Sequence, residues 1–205
     1  MTTKLLLSIA VLFGAISAQG ARSDIGTGPA RVRDFKTVMD GLLYRGGSIG
    51  MKPLNQSQLQ MLCQNGVSHA VYLYDTNFVP TADVSCTMTN GRPNTIKYTM
   101  NRFLSPSAVK QVMQSIHESI EHGDRGSIFV HCWNGWHASG EIAAQALKQF
   151  CDYSDEQAAE YWKSNIGDQQ NLPKYGRVVA RVKTFQPYPQ FKISLKRQAE
   201  VCPRP

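Results

Sequence analysis

Hydrophobic and polar positions follow two periodicities along the chain. Short apolar runs bounded by glycine, proline or asparagine indicate strands, whereas apolar residues at about every third or fourth position indicate helices. The long polar stretch at 75–94 is predicted to be a connection. The pattern predicts strands at 41–47, 68–74, 95–100 and 127–131, and helices at 55–64, 108–122, 139–151, from 154 onward and at 174–184.

This alternation of strands and helices defines the fold class. It predicts an α/β protein with a mostly parallel central sheet flanked by helices on both faces. Ligands of such sheets bind beyond the carboxyl ends of the strands. The segment that follows His131 is therefore the place where we expect the chemistry.

The ends of the chain differ from its middle. Lys4, an apolar run and small residues up to Ala18 are typical of a secretory signal peptide at 1–18, although an uncleaved anchor is an alternative. A loose N-terminal arm is expected at 19–39, a single domain at 40–186, and a C-terminal tail packing on it at 187–205. We therefore expect an exported protein, periplasmic or secreted, with no stable membrane insertion after cleavage.

Composition and charge limit the classes of binding partner that we expect. The chain has 205 residues and a formal charge of +7, which falls to +6 when Lys4 is removed with the signal segment. A moderately basic protein suits anionic substrates or surface polyanions. No Lys/Arg cluster is dense enough to indicate nucleic acid, and Lys192, Lys196 and Arg197 are read as a solvated face. The oligomeric state stays open.

The five cysteines are an odd number for an exported protein. Four paired cysteines and one functional thiol account for them under oxidising conditions, although some of them being buried thiols is an alternative. If Cys132 is the free one, three pairings remain. Of these we favour Cys63–Cys86 together with Cys151–Cys202.

Cys132 stands where a predicted strand enters a tight turn before a helix. Backbone N–H groups in such a loop, together with the positive end of the helix dipole, form a site sized for phosphate. The same field stabilises a thiolate and makes it nucleophilic. Gly135 permits the turn, and Ser139 is placed to hydrogen-bond the sulfur.

These residues carry a resemblance. His131-Cys132-x-x-Gly135-x-x-x-Ser139 resembles the active-site loop of dual-specificity and tyrosine phosphatases, which is His-Cys-x-x-Gly-x-x-Arg followed by Ser or Thr. The segment 43–47 resembles the Tyr-Arg-Ser-Gly segment of bacterial members, and 66–71 resembles their first long strand. The similarity covers roughly 40–165 and implies an exported bacterial member with a phosphotyrosine phosphatase-like fold.

The resemblance also implies roles. Cys132 would attack phosphorus and form a phosphocysteine, His131 would orient the loop and tune the thiolate, and Ser139 would assist departure of the sulfur. No cofactor and no metal are implied. The phosphoryl oxygens would be bound by the backbone of Trp133, Asn134, Gly135, Trp136, His137 and Ala138.

Two family groups are missing. Ala138 occupies the position of the arginine that grips the phosphoryl oxygens, so another cation must replace it. His137 is the first candidate, with Arg102 and then Arg45 as alternatives, although His137 would equally pack under the loop and Arg45 would equally only hold the glycine turn.

The usual aspartate is absent from 101–107, so Asp75 or His137 is the candidate general acid. A surface aspartate after a strand is the alternative reading of Asp75. Trp133 and Trp136 either line a substrate pocket or pack beneath the loop.

The sequence leaves several functions open. A phosphatase acting on phosphoproteins or inositol-phosphate-like molecules is favoured over a catalytically impaired pseudophosphatase that only binds an anion. A rhodanese-like sulfurtransferase is disfavoured by the histidine before the cysteine. A zinc site made of His131, Cys132 and His137 is disfavoured because adjacent ligands on one loop rarely close a tetrahedron.

Overall fold

The core of the protein is a twisted sheet with helices against both faces. The computed structural model describes residues 23–203 apart from Asn77, Pro80 and Asp124. Its strands are β1 Ser23–Ile25, β2 Val32–Met39, β3 Leu43–Gly47, β4 Val67–Tyr72, β5 Val84–Thr87, β6 Pro93–Met100 and β7 Ser127–Cys132. Its helices are α1 Gln56–Gln64, α2 Pro106–His122, α3 Ala138–Phe150, α4 Asp155–Ser164, α5 Gly176–Thr184 and α6 Leu195–Val201.

The strand order confirms the predicted class. The seven strands of the described region lie in the order β1-β2-β3-β7-β4-β6-β5. The central strands β3, β7, β4 and β6 are parallel, and β1, β2 and β5 add antiparallel edges. Strand β7 therefore lies in the middle of the sheet, and its carboxyl end is the natural position for a site.

Alternation along β7 sends its side chains to two different cores. Ile128, Val130 and Cys132 face the cluster built with α2 and α3. Phe129 faces the cluster built with α1, and the ring of His131 stacks near it at 5.7 Å. Because neighbouring residues of a strand point to opposite faces, His131 and Cys132 meet different surroundings.

Local sequence signals begin and end several helices as expected. Asn55 caps α1, and Ser154 caps α4 with a reciprocal bond from Gln157, the arrangement that the sequence predicts. Helix α2 begins at Pro106 and ends at Gly123, which adopts φ +62°. Within the described residues no helix is long and apolar enough to cross a bilayer.

The two ends of the described chain contain regular structure that the sequence pattern does not predict. The expected N-terminal arm contributes β1 and β2 to the sheet, and the expected C-terminal tail contains α6. Strand β2 has register irregularities and Asp34 at φ +46°, so its alternation of apolar and polar residues is broken. The polar connection at 75–94 contains β5. The predicted signal segment at 1–18 lies outside the described residues.

Both favoured disulfides are present. Cys63 of α1 is bonded to Cys86 of β5, and Cys151 after α3 is bonded to Cys202 after α6. Each bond joins a helix to an outlying segment, an edge strand in one case and the C-terminal helix in the other. Cys132 is left as the free thiol.

Candidate active site

The free sulfur lies between the end of β7 and the beginning of α3. Cys132 is the last residue of β7, and its Sγ lies 3.4 Å from the hydroxyl oxygen of Ser139 in the first turn of α3. The first N–H groups of any helix have no intrahelical acceptor and carry partial positive charge. The sulfur is therefore next to the end of a helix that stabilises an anion.

A chain of buried hydrogen bonds fixes His131. The N–H of Leu54 donates to the hydroxyl oxygen of Tyr98 over 2.8 Å, and that hydroxyl lies 2.8 Å from His131 Nε2. The carbonyl of Cys132, 3.3 Å from His131 Nδ1, can only accept, so a neutral ring carries its proton on Nδ1 and Nε2 accepts from the tyrosine hydroxyl. Burial lowers the pKa of His131 to about 3, so the ring is neutral. It holds the carbonyl of Cys132 without adding a charge.

The turn between Cys132 and α3 rests on the glycines of β3. Gly135 adopts φ +82°, and a Cβ there would lie 2.8 Å from the carbonyl carbon of Gly46. The N–H of Ser48 donates to the carbonyl of Trp133 over 3.0 Å. Glycine is thus required both for its backbone conformation and for the close approach of the two chains.

Arg45 holds this turn from inside the protein. Its side chain is fully buried and donates to the carbonyl of Gly135, to the carbonyl of Asn165 at 3.1 Å and to the hydroxyl of Tyr161 at 3.2 Å. Within the described residues no carboxylate pairs with it. Its contacts are with the protein itself, so the structure assigns it to holding the loop, one of the two readings that the sequence leaves open.

Ala138 is a core residue at the start of α3. Its side chain is fully buried in the cluster that contains Cys132 and Ile142. Position 138 already belongs to α3 and turns its Cβ toward the core. The position that the resemblance assigns to arginine is thus occupied by a core residue.

His137 packs beside the loop. Its ring centroid lies 4.5 Å from that of Tyr175, and its Nε2 is buried without a hydrogen-bond partner in the described structure. Burial lowers the pKa of His137, an effect that Asp168 partly offsets. A neutral ring does not supply the positive charge for which the sequence made His137 the first candidate.

The candidate acid Asp75 and the candidate cation Arg102 bind each other. They form an ion pair in which 47% of the Asp75 side chain and 66% of the Arg102 side chain remain exposed. In this arrangement each charge is engaged by the other. The structure thus couples the candidate general acid to the second candidate cation.

Tyr74 is a neighbour of the sulfur that the sequence analysis missed. Burial raises the pKa of Tyr74, and the charge and hydrogen bonding of Cys132 raise it further. Its ring packs edge-on against Trp133 at 5.0 Å and Phe103 at 5.7 Å. The sequence signal that pointed to it was its position at the carboxyl end of the strand predicted at 68–74.

Side chains of the loop contact the segments of the protein on both sides of it. Trp133 Nε1 donates to the hydroxyl of Tyr72 over 2.8 Å, and Asn134 accepts from Arg33 over 3.3 Å. Trp136 lies so close to Gly167 that a Cβ there would be 2.2 Å from the indole. These contacts favour packing over pocket lining for both tryptophans.

No protein-family model and no curated protein sequence matches the chain. Among solved structures, a mutant form of Tk-PTP is 14% identical over 73% of this chain and 93% of its own, with a TM-score of 0.48. The core catalytic domain of the PP-IP phosphatase SIW14 from S. cerevisiae, in complex with citrate, is 13% identical over 80% of this chain and 89% of its own, with a TM-score of 0.49.

Proposed function

We propose that this protein hydrolyses phosphomonoesters through a phosphocysteine intermediate on Cys132. The observation that carries the proposal is the position of the one free thiol, at the end of the central strand, against the first turn of α3 and 3.4 Å from Ser139. A strand, a tight turn and a helix N-terminus around a cysteine form an anion site with a nucleophile at its base.

Arg45 supports the proposal through its charge. Arginine is almost never fully buried unless it is paired. Here the described partners of the guanidinium are neutral oxygens, so a buried positive charge remains beneath the loop. A bound phosphate dianion would complement both that charge and the α3 dipole. The buried charge of Arg45 would thereby replace part of the charge that a loop arginine supplies in the phosphatases.

The reaction divides into two displacements. The Cys132 thiolate attacks phosphorus, so that a sulfur–phosphorus bond forms while the ester oxygen leaves with its electron pair. Water then attacks the same phosphorus, and inorganic phosphate and the thiolate are released. Ser139 donates a hydrogen bond to the departing sulfur in the second step, and His131 keeps the Cys132 carbonyl turned away from the incoming anion.

The structure offers little help to a poor leaving group. Residues 101–107 contain no carboxylate, and Asp75 is held by Arg102. The raised pKa of Tyr74 keeps its hydroxyl protonated, as a hydrogen-bond donor beside the sulfur. Aryl phosphates should therefore be hydrolysed much faster than alkyl phosphates, which require protonation of an alkoxide.

Release of phosphate from p-nitrophenyl phosphate tests the proposal. We expect turnover that falls roughly 10³-fold or more in Cys132→Ser, because the nucleophile is lost. Lys192→Ala, at an exposed position of the C-terminal segment, is the control. Acid quench followed by mass spectrometry should find one phosphoryl group on Cys132. Equal turnover in Cys132→Ser would refute the proposal.

A second function is binding of an anion without turnover. The buried Ala138 favours it, because no guanidinium from the loop stabilises the transition state. Vanadate or phosphate binding by the unaltered protein, with no release of p-nitrophenol at any pH between 5 and 8, would establish this second function in place of the first.

The same proposal extends to location and substrate. The two disulfides support an oxidising compartment, periplasmic or extracellular. The positive formal charge favours an anionic substrate, either a phosphoprotein or an inositol-phosphate-like molecule. N-terminal sequencing of the protein recovered from an exported fraction tests the location and the cleavage after Ala18.

A further inference from the structure

Strands β2 and β3 bring three cationic side chains to one side of the loop. Arg33 of β2 lies opposite Gly47 of β3, and Gly47 is bridged in turn to Asn134 of the loop. Lys36 lies opposite Arg45 on the same pair of strands. The loop therefore has a row of positive groups along its border with β2 and beneath it.

Carboxylates balance only part of this charge. Lys36 lies 3.9 Å from Asp34. The partners of Arg45 are neutral oxygens, and across the described ranges neither Arg33 nor Arg45 forms an ion pair with a carboxylate. By contrast, the exposed pair that follows β4 and β6 is neutral as a unit. The β2 side of the loop is thus the side that an anion would complement.

Arg33 has N–H groups without an acceptor next to the loop. Its Nη1 donates to Asn134 Oδ1 over 3.3 Å, which holds the guanidinium beside the second residue after Cys132. Its Nε and Nη2 donate no hydrogen bond to any residue that the structure describes, and neither does Asn134 Nδ2. None of these three nitrogens is buried, so a ligand in solution can reach them.

The contact with Asn134 places the guanidinium at the edge of the candidate phosphate site. Under the proposed function, the backbone N–H of Asn134 is one of the groups that bind the phosphoryl oxygens at Cys132. An asparagine side chain is short, so the Arg33 group bound to it lies just outside the ring of amides. An anionic group reaches Arg33 when it is attached a few bonds from the phosphorus.

We propose that Arg33 and Asn134 bind a second anionic group of the substrate, a carboxylate or a phosphate close to the phosphoryl group that reacts at Cys132. The inference rests on the proposed function and adds a specificity-determining residue to it. Arginine presents paired N–H groups that match two oxygens on one atom. Asn134 Nδ2 adds a neighbouring donor. A substrate with an uncharged leaving group leaves these donors to water.

Binding to Cys132→Ser measures this preference without turnover. Phenyl phosphate is compared, by isothermal titration calorimetry, with two derivatives that carry a carboxylate or a second phosphate at the neighbouring ring position. We expect at least one derivative to bind roughly tenfold more tightly or better, as for hydrogen bonds to a charged group. The tighter derivative identifies which anion the site takes. Equal affinity for all three ligands would overturn the inference.

Substitutions of Arg33 in the same background test whether this residue causes the preference. Arg33→Gln should remove it. Arg33→Lys keeps the positive charge but loses the paired N–H groups, so it should retain only part of the preference. Arg92→Gln is the matched control, because it removes an exposed guanidinium from the turn between β5 and β6 and should retain the whole preference.

A purely structural role for Arg33 would give a different result. If Arg33 only held Asn134 and the loop, Arg33→Gln would weaken the binding of phenyl phosphate and of both derivatives by the same factor. The ratio of affinities would then stay unchanged, which would overturn the inference. Arg33 is only partly buried and its one partner is an amide, so we expect Arg33→Gln to keep the urea midpoint of the parent.

Failure of the proposed function is a separate result. If the unaltered protein prefers a derivative through Arg33 but never releases phosphate from p-nitrophenyl phosphate, the inference stands and the protein is a binding module for ligands with two anionic groups. If Cys132 releases phosphate but all three ligands bind equally, the phosphatase proposal stands and the inference fails. Absence of both binding and release would overturn both.

Discussion

The residues beneath the loop and the exposed charged residues that follow β4 and β6 have opposite properties. Beneath the loop, Arg45, His131 and Ser139 are fully buried, and each contacts the turn or the sulfur. In the segments that follow β4 and β6, Asp75 and Arg102 are exposed and paired with each other. The first set keeps the sulfur and the turn in place, whereas the second set contains the charges that would grip and protonate a substrate.

The difference separates two requirements that a phosphatase normally combines. A buried network is fixed before the substrate arrives, so it positions the nucleophile at no cost during the reaction. Exposed ion pairs are screened by water and move easily, so they define geometry poorly. Under the proposed function, the groups that would position the nucleophile are buried and fixed, whereas the groups that would stabilise charge in the transition state are exposed and paired with each other.

Ala138→Arg is expected to have the largest effect. Position 138 is fully buried in the core, so an arginine there overpacks the cluster and buries a charge. We expect a loss of roughly 4 kcal/mol or more in the free energy of unfolding, measured by urea denaturation, rather than a gain in activity. Leu195→Arg, at an exposed position, should cost little. A stable Ala138→Arg protein with higher turnover would show that position 138 faces the anion after all.

Arg45→Met should have the next largest effect. The substitution leaves the carbonyls of Gly135 and Asn165 and the hydroxyl of Tyr161 without their donor in a buried site. We expect a loss of roughly 3–5 kcal/mol in the free energy of unfolding, because breaking a buried charged network leaves its partners unsatisfied. Affinity for vanadate should fall as well. Unchanged stability would mean that Arg45 is no part of the support beneath the loop.

The neutral state of His131 predicts a dependence of stability on pH. Its pKa in the folded protein is about 3, against an ordinary value of 6.5. Between these pH values the imidazole is protonated in the unfolded chain but neutral in the folded protein. The free energy of unfolding therefore falls as pH decreases. The contribution is about 1.4 kcal/mol for each pH unit below 6.5. His69, with a pKa lowered by burial to about 4, acts in the same direction.

Urea denaturation at pH 6.5 and pH 5 measures the effect. His69→Gln removes the contribution of His69 to the decrease in the free energy of unfolding. The decrease that remains comes from His131 and from other groups that titrate in this pH range. NMR of the imidazole nitrogens should find His131 still neutral at pH 5. A protonated ring at pH 5 would contradict the assignment of the Tyr98–His131 hydrogen bond.

Ser139→Ala should mainly affect the second chemical step. Its hydroxyl is 3.4 Å from the sulfur, and under the proposed function it would stabilise the thiolate as it leaves. We expect kcat for p-nitrophenyl phosphate to fall roughly tenfold, as for loss of one hydrogen bond to a charged group. A burst of p-nitrophenol should appear, because phosphocysteine accumulates. Ser107→Ala is the exposed control, and a slower first step without a burst would assign Ser139 another role.

Some of these features are predictable from the sequence, and the reasons for the rest are physical. The strand, turn and helix around Cys132 follow from local periodicity, and both favoured disulfides are confirmed. Strand β2 was missed because its irregular register removes the alternation that marks a strand.

The motif does not predict the environment of each residue in the loop. The motif aligns Ala138 with an arginine, but the rotation of α3 decides that its Cβ faces the core. His137 was the first candidate cation, yet burial beside Tyr175 lowers its pKa. Tyr74 belongs to no motif, and only the pairing of β4 with β7 brings it to the sulfur.

Arg102→Gln should have the smallest effect, and it tests the comparison most directly. Its pair with Asp75 is exposed, so we expect a change of about 0.5 kcal/mol or less in the free energy of unfolding. We also expect kcat/KM for p-nitrophenyl phosphate to change by less than about threefold, roughly 0.6 kcal/mol. Asp75→Asn should resemble it, because the aryl leaving group needs no acid.

A fall of 100-fold or more in Arg102→Gln, with stability unchanged, would give the opposite answer. Such a loss is the size expected when one group that stabilises transition-state charge is removed. Arg102 would then leave Asp75 and bind the phosphoryl group, and Asp75 would be released at the same moment. In that case Arg102 supplies the cation and Asp75 the general acid, and both reach the site only when substrate binds.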